Sequence, residues 1–238
     1  MFLSVLTITI SLLISNANFS RPSVAPRVQD INAAAKQIFG RPNDPEVREG
    51  PASRTASLAI DEVEDGLARA NSARNASPPR YHDAEMRYGF ISRLNPRDPR
   101  PVMGLGNIAY DQKQYAAAAK MYQEALTMVT SMASFGGAHL RGELNPAEQR
   151  NIAGQVRMYL GISLLETNDF KNAQAQFERA VKSEPTNPRV HALLGYSLLK
   201  QGIKPEAVKS FQEAVRLDPG KAEYQQLLDA VTKAATPN

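Results

Sequence analysis

The sequence predicts an all-α protein in which about four helical hairpins stack side by side as an α-solenoid. Three observations lead to this fold class. A segment of 34 residues is followed directly by a second copy of itself, apolar residues after Ser57 follow helical spacing, and a proline lies near the end of each copy. One hairpin of amphipathic helices cannot bury its own apolar face, whereas several in a row share a continuous core. We therefore expect stacked hairpins, with a capping helix at the carboxy-terminal end.

The amino-terminal element has the pattern of a signal peptide over residues 1–17. An apolar run from Phe2 to Ile14 precedes small residues at the offsets that suit cleavage after Ala17. A run of about 13 residues is too short for a stable bilayer span, which needs about 20. We expect export to the periplasm or the extracellular space. The only positive charge before the run is the amino terminus, so an uncleaved segment that associates with the membrane is the alternative.

Residues 18–57 are expected to form a flexible, proline-rich linker. Five prolines, together with glycines and serines, interrupt any long helix in this stretch. Only Val28–Phe39 shows helical spacing, with Val28, Ile31, Ala35 and Phe39 on one face. This short amphipathic helix could dock on the body of the protein or on a partner, and the body is the preferred site.

The repeated body is expected over residues 58–235. Residues 154–187 and 188–221 share eleven identities, against about two expected from ordinary composition. The repeated residues of the first copy are Val156, Leu160, Gly161, Ser163, Leu164, Leu165, Ala173, Phe177, Ala180, Val181 and Pro185. Two weaker copies precede them, so the repeats are placed at 65–98, 99–153, 154–187 and 188–221, with a capping helix at 221–234.

In repeats two to four, a glycine such as Gly161 is followed by an alanine, an aromatic residue and a second alanine at fixed offsets, and the degenerate first repeat has Ile91 at the last of these positions. The small residues let neighbouring helices approach, and the aromatic ring fills the space that they leave. The weaker copies keep this order, with Gly106 or Ser72 in the glycine position. The pattern resembles the tetratricopeptide repeat (TPR) family. The resemblance implies a protein-interaction fold and says little about the ligand.

The spacing from Gly106 to Gly161 is 55 residues, which leaves 21 extra residues between repeats two and three. Gly136 and Gly137 indicate a turn, and Asn145-Pro146 indicates a helix start. We expect the two flanking helices to be lengthened into an extended hairpin. Apolar side chains lie near its tip, where they either contact a partner or cover each other: Met128, Met132, Phe135, Leu140 and Leu144. Met132, Phe135 and Leu140 are the candidate insertion contacts.

No catalytic or metal-binding pattern is found. The absence of cysteine excludes disulfides, thiolate metal sites and thiol catalysis, and His82, His139 and His191 are scattered. The 28 basic residues are interleaved with 24 acidic ones, which does not favour a nucleic-acid partner. We expect no cofactor, no metal and no small-molecule substrate. An enzyme with an unrecognised site in the linker or insertion is the least favoured alternative.

The TPR resemblance implies that the first helices of the hairpins line a groove for a bound peptide. Carried over position by position, the candidate groove residues are Arg100, Met103, Asn107, Tyr110, Met158, Ile162, Leu165, Arg189, Tyr196, Leu199 and Lys200. The subgroup that clamps a terminal carboxylate uses one lysine and two asparagines of one repeat. Only Asn107 matches, because Met103 and Gly104 occupy the other two positions. We therefore expect apolar anchoring of an extended or helical segment.

These patterns together predict a non-catalytic scaffold or adaptor that binds another protein or a peptide, in a bacterial cell envelope. The alternative is a structural subunit of a secretion, pilus or envelope assembly, which contacts its partners through the inserted hairpin. Neither alternative requires turnover of a substrate. Partner, pathway and oligomeric state are outside what the sequence predicts.

Overall fold

The computed structural model describes residues 51–134 and 144–233, in which every regular element is an α-helix. The helices are α1 (Pro51–Arg74), α2 (Tyr81–Leu94), α3 (Pro99–Asp111), α4 (Tyr115–Ser134), α5 (Pro146–Glu166), α6 (Phe170–Ser183), α7 (Pro188–Lys200), α8 (Lys204–Leu217) and α9 (Ala222–Lys233). The predicted all-α fold is confirmed.

Consecutive helices form four antiparallel hairpins, α1–α2, α3–α4, α5–α6 and α7–α8, and α9 packs on the last of them. The first helices also contact one another in the order α1, α3, α5, α7. Within the described ranges each helix thus packs mainly on its near neighbours in the chain. This arrangement is the quasi-one-dimensional stack of a solenoid.

Three of the first helices start in the same way. Asp98, Asn145 and Asn187 each precede a proline, and their side chains accept hydrogen bonds from backbone N–H groups of the first turn. At Asn145, Glu148 completes a capping box. Proline suits the first helical position because its missing N–H would have no partner there. These caps set where α3, α5 and α7 begin, and hence the register of the face that they share.

An aromatic ring lies against a glycine in each hairpin interface. Phe177 packs on Gly161 and Phe211 on Gly195, and both rings are fully buried. Tyr122 packs on Gly106 in the same way, whereas the ring of Tyr88 lies on Gly104 of the following hairpin. Three buried clusters follow one another along the stack. The repeated motif therefore specifies a repeated packing unit.

The last helix of the stack lies close to its predicted range, whereas the first helix begins earlier than predicted. Helix α1 begins at Pro51, so the predicted linker end at residue 57 lies inside this helix. A proline at the first helical position is compatible with that start. At the other end, Tyr224, Leu227 and Val231 of α9 are buried on the last hairpin, and Leu228 is half-buried.

Helices α4 and α5 contain 20 and 21 residues, compared with 13 or 14 in the helices of the fourth hairpin. Met128 is half-buried against the α3–α5 core and Leu144 is buried. Met132 belongs to α4, but Phe135 and Leu140 lie outside the described residues. The predicted signal peptide and the Val28–Phe39 helix lie outside them as well. No helix in the described ranges combines the length and apolarity that a bilayer span requires.

Candidate functional site: the first-helix face

The first-helix face is the surface formed by α3, α5 and α7 at the eleven predicted groove positions. The three helices lie next to each other in the stack. The positions on it are Arg100, Met103, Asn107 and Tyr110 of α3, Met158, Ile162 and Leu165 of α5, and Arg189, Tyr196, Leu199 and Lys200 of α7. The structure brings these positions to neighbouring helices, but it gives them very different exposure.

Four of the predicted contacts are buried. Met158, Ile162 and Leu165 belong to the core cluster that joins hairpins three and four. The side-chain oxygen of Asn107 accepts a hydrogen bond from the buried Tyr122 hydroxyl at 2.7 Å. Close approach of the neighbouring helices encloses these four side chains, and their contact with a bound segment stays a prediction. Met103 is half-buried against the same α3–α5 core as Met128.

Arg100 is engaged within the protein. Its guanidinium donates to Asp98 at 2.6–2.9 Å and to Glu64 of α1 at 2.7 Å. Burial alone would lower the pKa of Arg100, but the hydrogen bonds and charges of the two carboxylates raise it overall. Arg100 therefore links α3 to α1, and it is less available to a ligand than the sequence predicted.

Tyr110 connects three helices. Its hydroxyl donates to Glu166 at the end of α5 at 3.4 Å, and its ring centroid lies 5.2 Å from that of Tyr115 at the start of α4. Burial raises the pKa of Tyr110, and the nearby Glu166 charge adds to the effect. Tyr115 was not among the predicted site residues, because it lies on a second helix and outside the groove positions.

Glu166 is held partly out of water on this face. Burial raises its pKa above the usual 4.5, and the Tyr110 hydrogen bond offsets part of the rise. A carboxyl with a raised pKa binds its proton more tightly in the folded than in the unfolded chain. Its contribution to stability is therefore greatest at low pH and declines as the pH rises through the folded pKa.

We expect Glu166→Gln to be more stable than the wild type at neutral pH, because glutamine keeps an acceptor oxygen for Tyr110 and carries no charge. The advantage should vanish below about pH 4.5, where the unfolded carboxyl is itself protonated. Urea unfolding of both proteins across this range measures the difference. A difference that does not change with pH would show that the carboxylate charge is not the cause.

The open part of the face lies on α7. Tyr196 and Leu199 are half-buried, Lys200 is exposed, and its ammonium lies 5.3 Å from the centroid of the Tyr196 ring. Arg189 is half-buried, and its Nε and Nη2 atoms are enclosed without a hydrogen-bond partner among the described residues. This part of the face therefore presents an aromatic ring, an aliphatic side chain and the exposed Lys200 ammonium.

The described residues contain no group of three or more histidine, aspartate or glutamate side chains arranged to hold a metal ion. His191 lies on α7, and its Nε2 atom is 2.8 Å from the carbonyl oxygen of Pro185. That contact gives His191 a structural role in the turn before α7.

Sequence comparison finds relatives that are much longer than this chain and match it over a small part of their own length. "RNA polymerase-associated protein CTR9" of Caenorhabditis elegans is 23% identical over 53% of this chain, and "BBSome complex member BBS4" of Bos taurus is 25% identical over 58% of it. "Cellulose synthase operon protein C" of Xanthomonas axonopodis pv. citri is 26% identical over 78% of it. The matched regions span only 9%, 25% and 12% of these proteins, respectively.

Solved structures share the architecture. A double mutant of MamA RS-1 superposes with a TM-score of 0.55 at 19% identity, covering 76% of this chain and 84% of MamA. MamA from residue 41 to its end, from Desulfovibrio magneticus RS-1, gives a TM-score of 0.53 at 20% identity, covering 76% of this chain and 85% of that chain. At this identity the likeness establishes the fold alone.

The family follows from a match that covers more than half of the chain. The sequence model described as "Tetratricopeptide repeat" matches residues 67–133 and 160–222. These ranges contain the aromatic and glycine residues that pack the two helices of a hairpin together, and the Tyr88–Gly104 contact that joins the first two hairpins. The predicted resemblance is confirmed: the chain belongs to the tetratricopeptide repeat family.

Proposed function

We propose that this chain is a non-catalytic scaffold that binds a polypeptide segment of another protein on the first-helix face. The observation that carries the proposal is the partly exposed surface of α7, on which Tyr196 and Leu199 are half-buried against the core and Lys200 is exposed beside the Tyr196 ring. Aromatic and arginine side chains are the residues that most often dominate binding energy at protein interfaces. Two of the matched relatives are named as polymerase-associated or as a complex member, which supports a role in protein assembly.

The chemistry of this surface favours a segment with apolar anchors and an acidic side chain. A carboxylate could pair with Lys200 at the exposed edge.

We place this function in a bacterial cell envelope, on the periplasmic or extracellular side. The support is the apolar run from Phe2 to Ile14, followed by small residues at signal-cleavage offsets. Cell fractionation with detection of the mature amino terminus tests this location. Recovery of full-length protein from the cytosol alone would contradict it.

The binding site is tested with the double variant Tyr196→Ser/Leu199→Ser. Crosslinking capture from native cells identifies a partner, and its affinity for purified wild type and variant is then measured. We expect the affinity to fall at least about tenfold, or about 1.4 kcal/mol, because both apolar anchors are lost. The matched control is Lys209→Ser/Gln212→Ser on the exposed face of α8, which should bind as the wild type does. If Tyr196→Ser/Leu199→Ser binds the captured partner as tightly as the control variant does, the proposed site is wrong.

The length of α4 and α5 favours a second candidate function, that of a structural subunit in a secretion, pilus or envelope assembly. In this case the inserted hairpin is the contact. Gel filtration of the mature chain, alone and with envelope extract, distinguishes the two. A subunit co-elutes with a large assembly and loses it when the hairpin tip is shortened, whereas an adaptor remains small in the absence of its target.

A further inference from the structure

Helix α2 exposes three large apolar side chains, Met86, Phe90 and Leu94, and the first two occupy positions at which the other second helices carry no large apolar residue. Met86 is 60% exposed and Phe90 is 48% exposed. Alignment of the second helices on their buried alanine and aromatic residue identifies the equivalent positions in α4, α6 and α8. Those equivalent to Met86 are Lys120, Ala175 and Lys209, and those equivalent to Phe90 are Glu124, Arg179 and Glu213. Lys120, Glu124, Arg179 and Lys209 are exposed and Ala175 and Glu213 are half-buried, so none of the six equivalent positions holds a large apolar side chain.

The two side chains form one wall of a groove between α1 and α2, which we call the α1–α2 groove. Its volume is about 460 Å³, and Gly66 and Ile91 also line it. A Cβ atom at Gly66 would lie 3.1 Å from Ile91, so the glycine allows close approach of the two helices. Acidic and basic side chains, including Asp65 and Asp83, surround the apolar wall. An apolar strip with a charged rim suits one face of an amphipathic helix.

The chain itself contains a segment of this kind just before α1. Val28–Phe39 has apolar residues at helical spacing, and residues 40–50 connect it to Pro51. These 11 residues reach at most about 36–40 Å when extended. The groove lies beside residues 62–69, about 17–27 Å along α1 from Pro51 at 1.5 Å per residue. Residues 40–50 are therefore long enough to bring the segment back along α1 to the groove.

Two features favour the segment Val28–Phe39 over a separate protein as the occupant of the α1–α2 groove. They are its covalent connection to α1 and the sign of its charges. A short connection such as residues 40–50 holds a linked segment at an effective concentration on the order of millimolar, so even a weak contact is occupied. Residues 26–41 contain three basic side chains, Arg27, Lys36 and Arg41, and one acidic side chain, Asp30. The groove carries three acidic side chains, Glu62, Asp65 and Asp83, against two arginines.

We propose that the amphipathic segment Val28–Phe39 docks in the α1–α2 groove of the same chain and covers Met86 and Phe90. The proposal concerns a different surface from the first-helix face, and it needs no second protein.

A single tryptophan tests the proposal, because the natural chain has none. In Phe90→Trp the indole should be shielded, with a blue-shifted emission maximum and weak quenching by acrylamide. Adding Ile31→Asp and Phe39→Asp to this protein should shift the emission to longer wavelength and increase quenching. A synthetic peptide of residues 26–41, added at millimolar concentration to that triple variant, should restore the blue shift.

Glu124→Trp provides the matched control, because it occupies the equivalent exposed position of α4. Its emission should remain that of an exposed indole, with or without the two aspartate substitutions. Circular dichroism of every variant verifies that the helices are retained.

The remaining outcomes each overturn the proposal. Shielding of the Phe90→Trp indole that disappears on dilution and ignores the aspartate substitutions would assign the groove to a second copy of the chain. An indole that is fully exposed in the isolated protein at all concentrations would exclude docking of the segment and leave the groove to a separate partner. Neither result affects the binding test on the first-helix face.

Discussion

Phe177→Ala is expected to lower the free energy of unfolding by about 3–5 kcal/mol. The ring is fully buried in the core cluster that joins hairpins three and four, and it packs on Gly161 of α5. Truncation removes the apolar contacts and leaves a cavity that rigid neighbouring helices cannot fill. Because proteins are stable by only about 5–15 kcal/mol, this single change should remove a large part of the total.

Chemical denaturation followed by far-UV circular dichroism measures the effect of Phe177→Ala. The neighbouring Glu178→Ala is the control, because Glu178 is exposed on the same helix and its replacement should change stability by less than about 0.5 kcal/mol. A loss below about 1 kcal/mol for Phe177→Ala would mean that the ring does not hold the two hairpins together. A solenoid can also unfold in stages, so separate transitions of the two halves are compatible with this expectation.

Gly161→Ala and Gly89→Ala should change stability in opposite directions. A Cβ atom at Gly161 would lie 2.6–2.7 Å from the ring of Phe177, which cannot move in a filled core. Overpacking of this kind reduces stability by about 1–3 kcal/mol. The gain of about 1 kcal/mol in helix propensity offsets part of the loss. These two contributions leave a net destabilisation of up to about 2 kcal/mol.

Gly89 of α2 is the matched position, because a Cβ atom there meets nothing within 4 Å. Only the helix propensity changes, so Gly89→Ala should raise the free energy of unfolding by about 0.5–1 kcal/mol. Thermal and urea unfolding of the two variants and the wild type decide the point. If both substitutions stabilise the protein, the ring of Phe177 has room to move and the close approach at Gly161 is not a requirement of the fold.

The sequence was sufficient to predict how the hairpins pack. Identical residues at equal spacing, such as Gly161 with Phe177 and Gly195 with Phe211, imply the same contact in each unit, and the structure has that contact. Helix starts at Asn145 and Asn187 were also predictable, because capping depends on a few adjacent residues.

The exposure of the first-helix face was less predictable. Ile162 and Leu165 occupy groove positions in the repeat, yet they are buried, because their exposure depends on how closely α7 approaches α5. The pairing of Arg100 with Glu64 joins residues 36 positions apart and leaves no local signal. By contrast, the apolar pair Met86 and Phe90 was detectable in the sequence by comparing the four second helices, once the repeats were aligned.

The near-neighbour packing of the helices has a consequence for how this protein responds to a ligand. In a linear array, opening of one unit is felt mainly by the units beside it, so the ends exchange their amide hydrogens faster than the middle. A polypeptide lying across α3, α5 and α7 would touch three units at once. A bound polypeptide would then couple the opening of amides in different hairpins. The hairpins would open as one cooperative unit only while the polypeptide is bound.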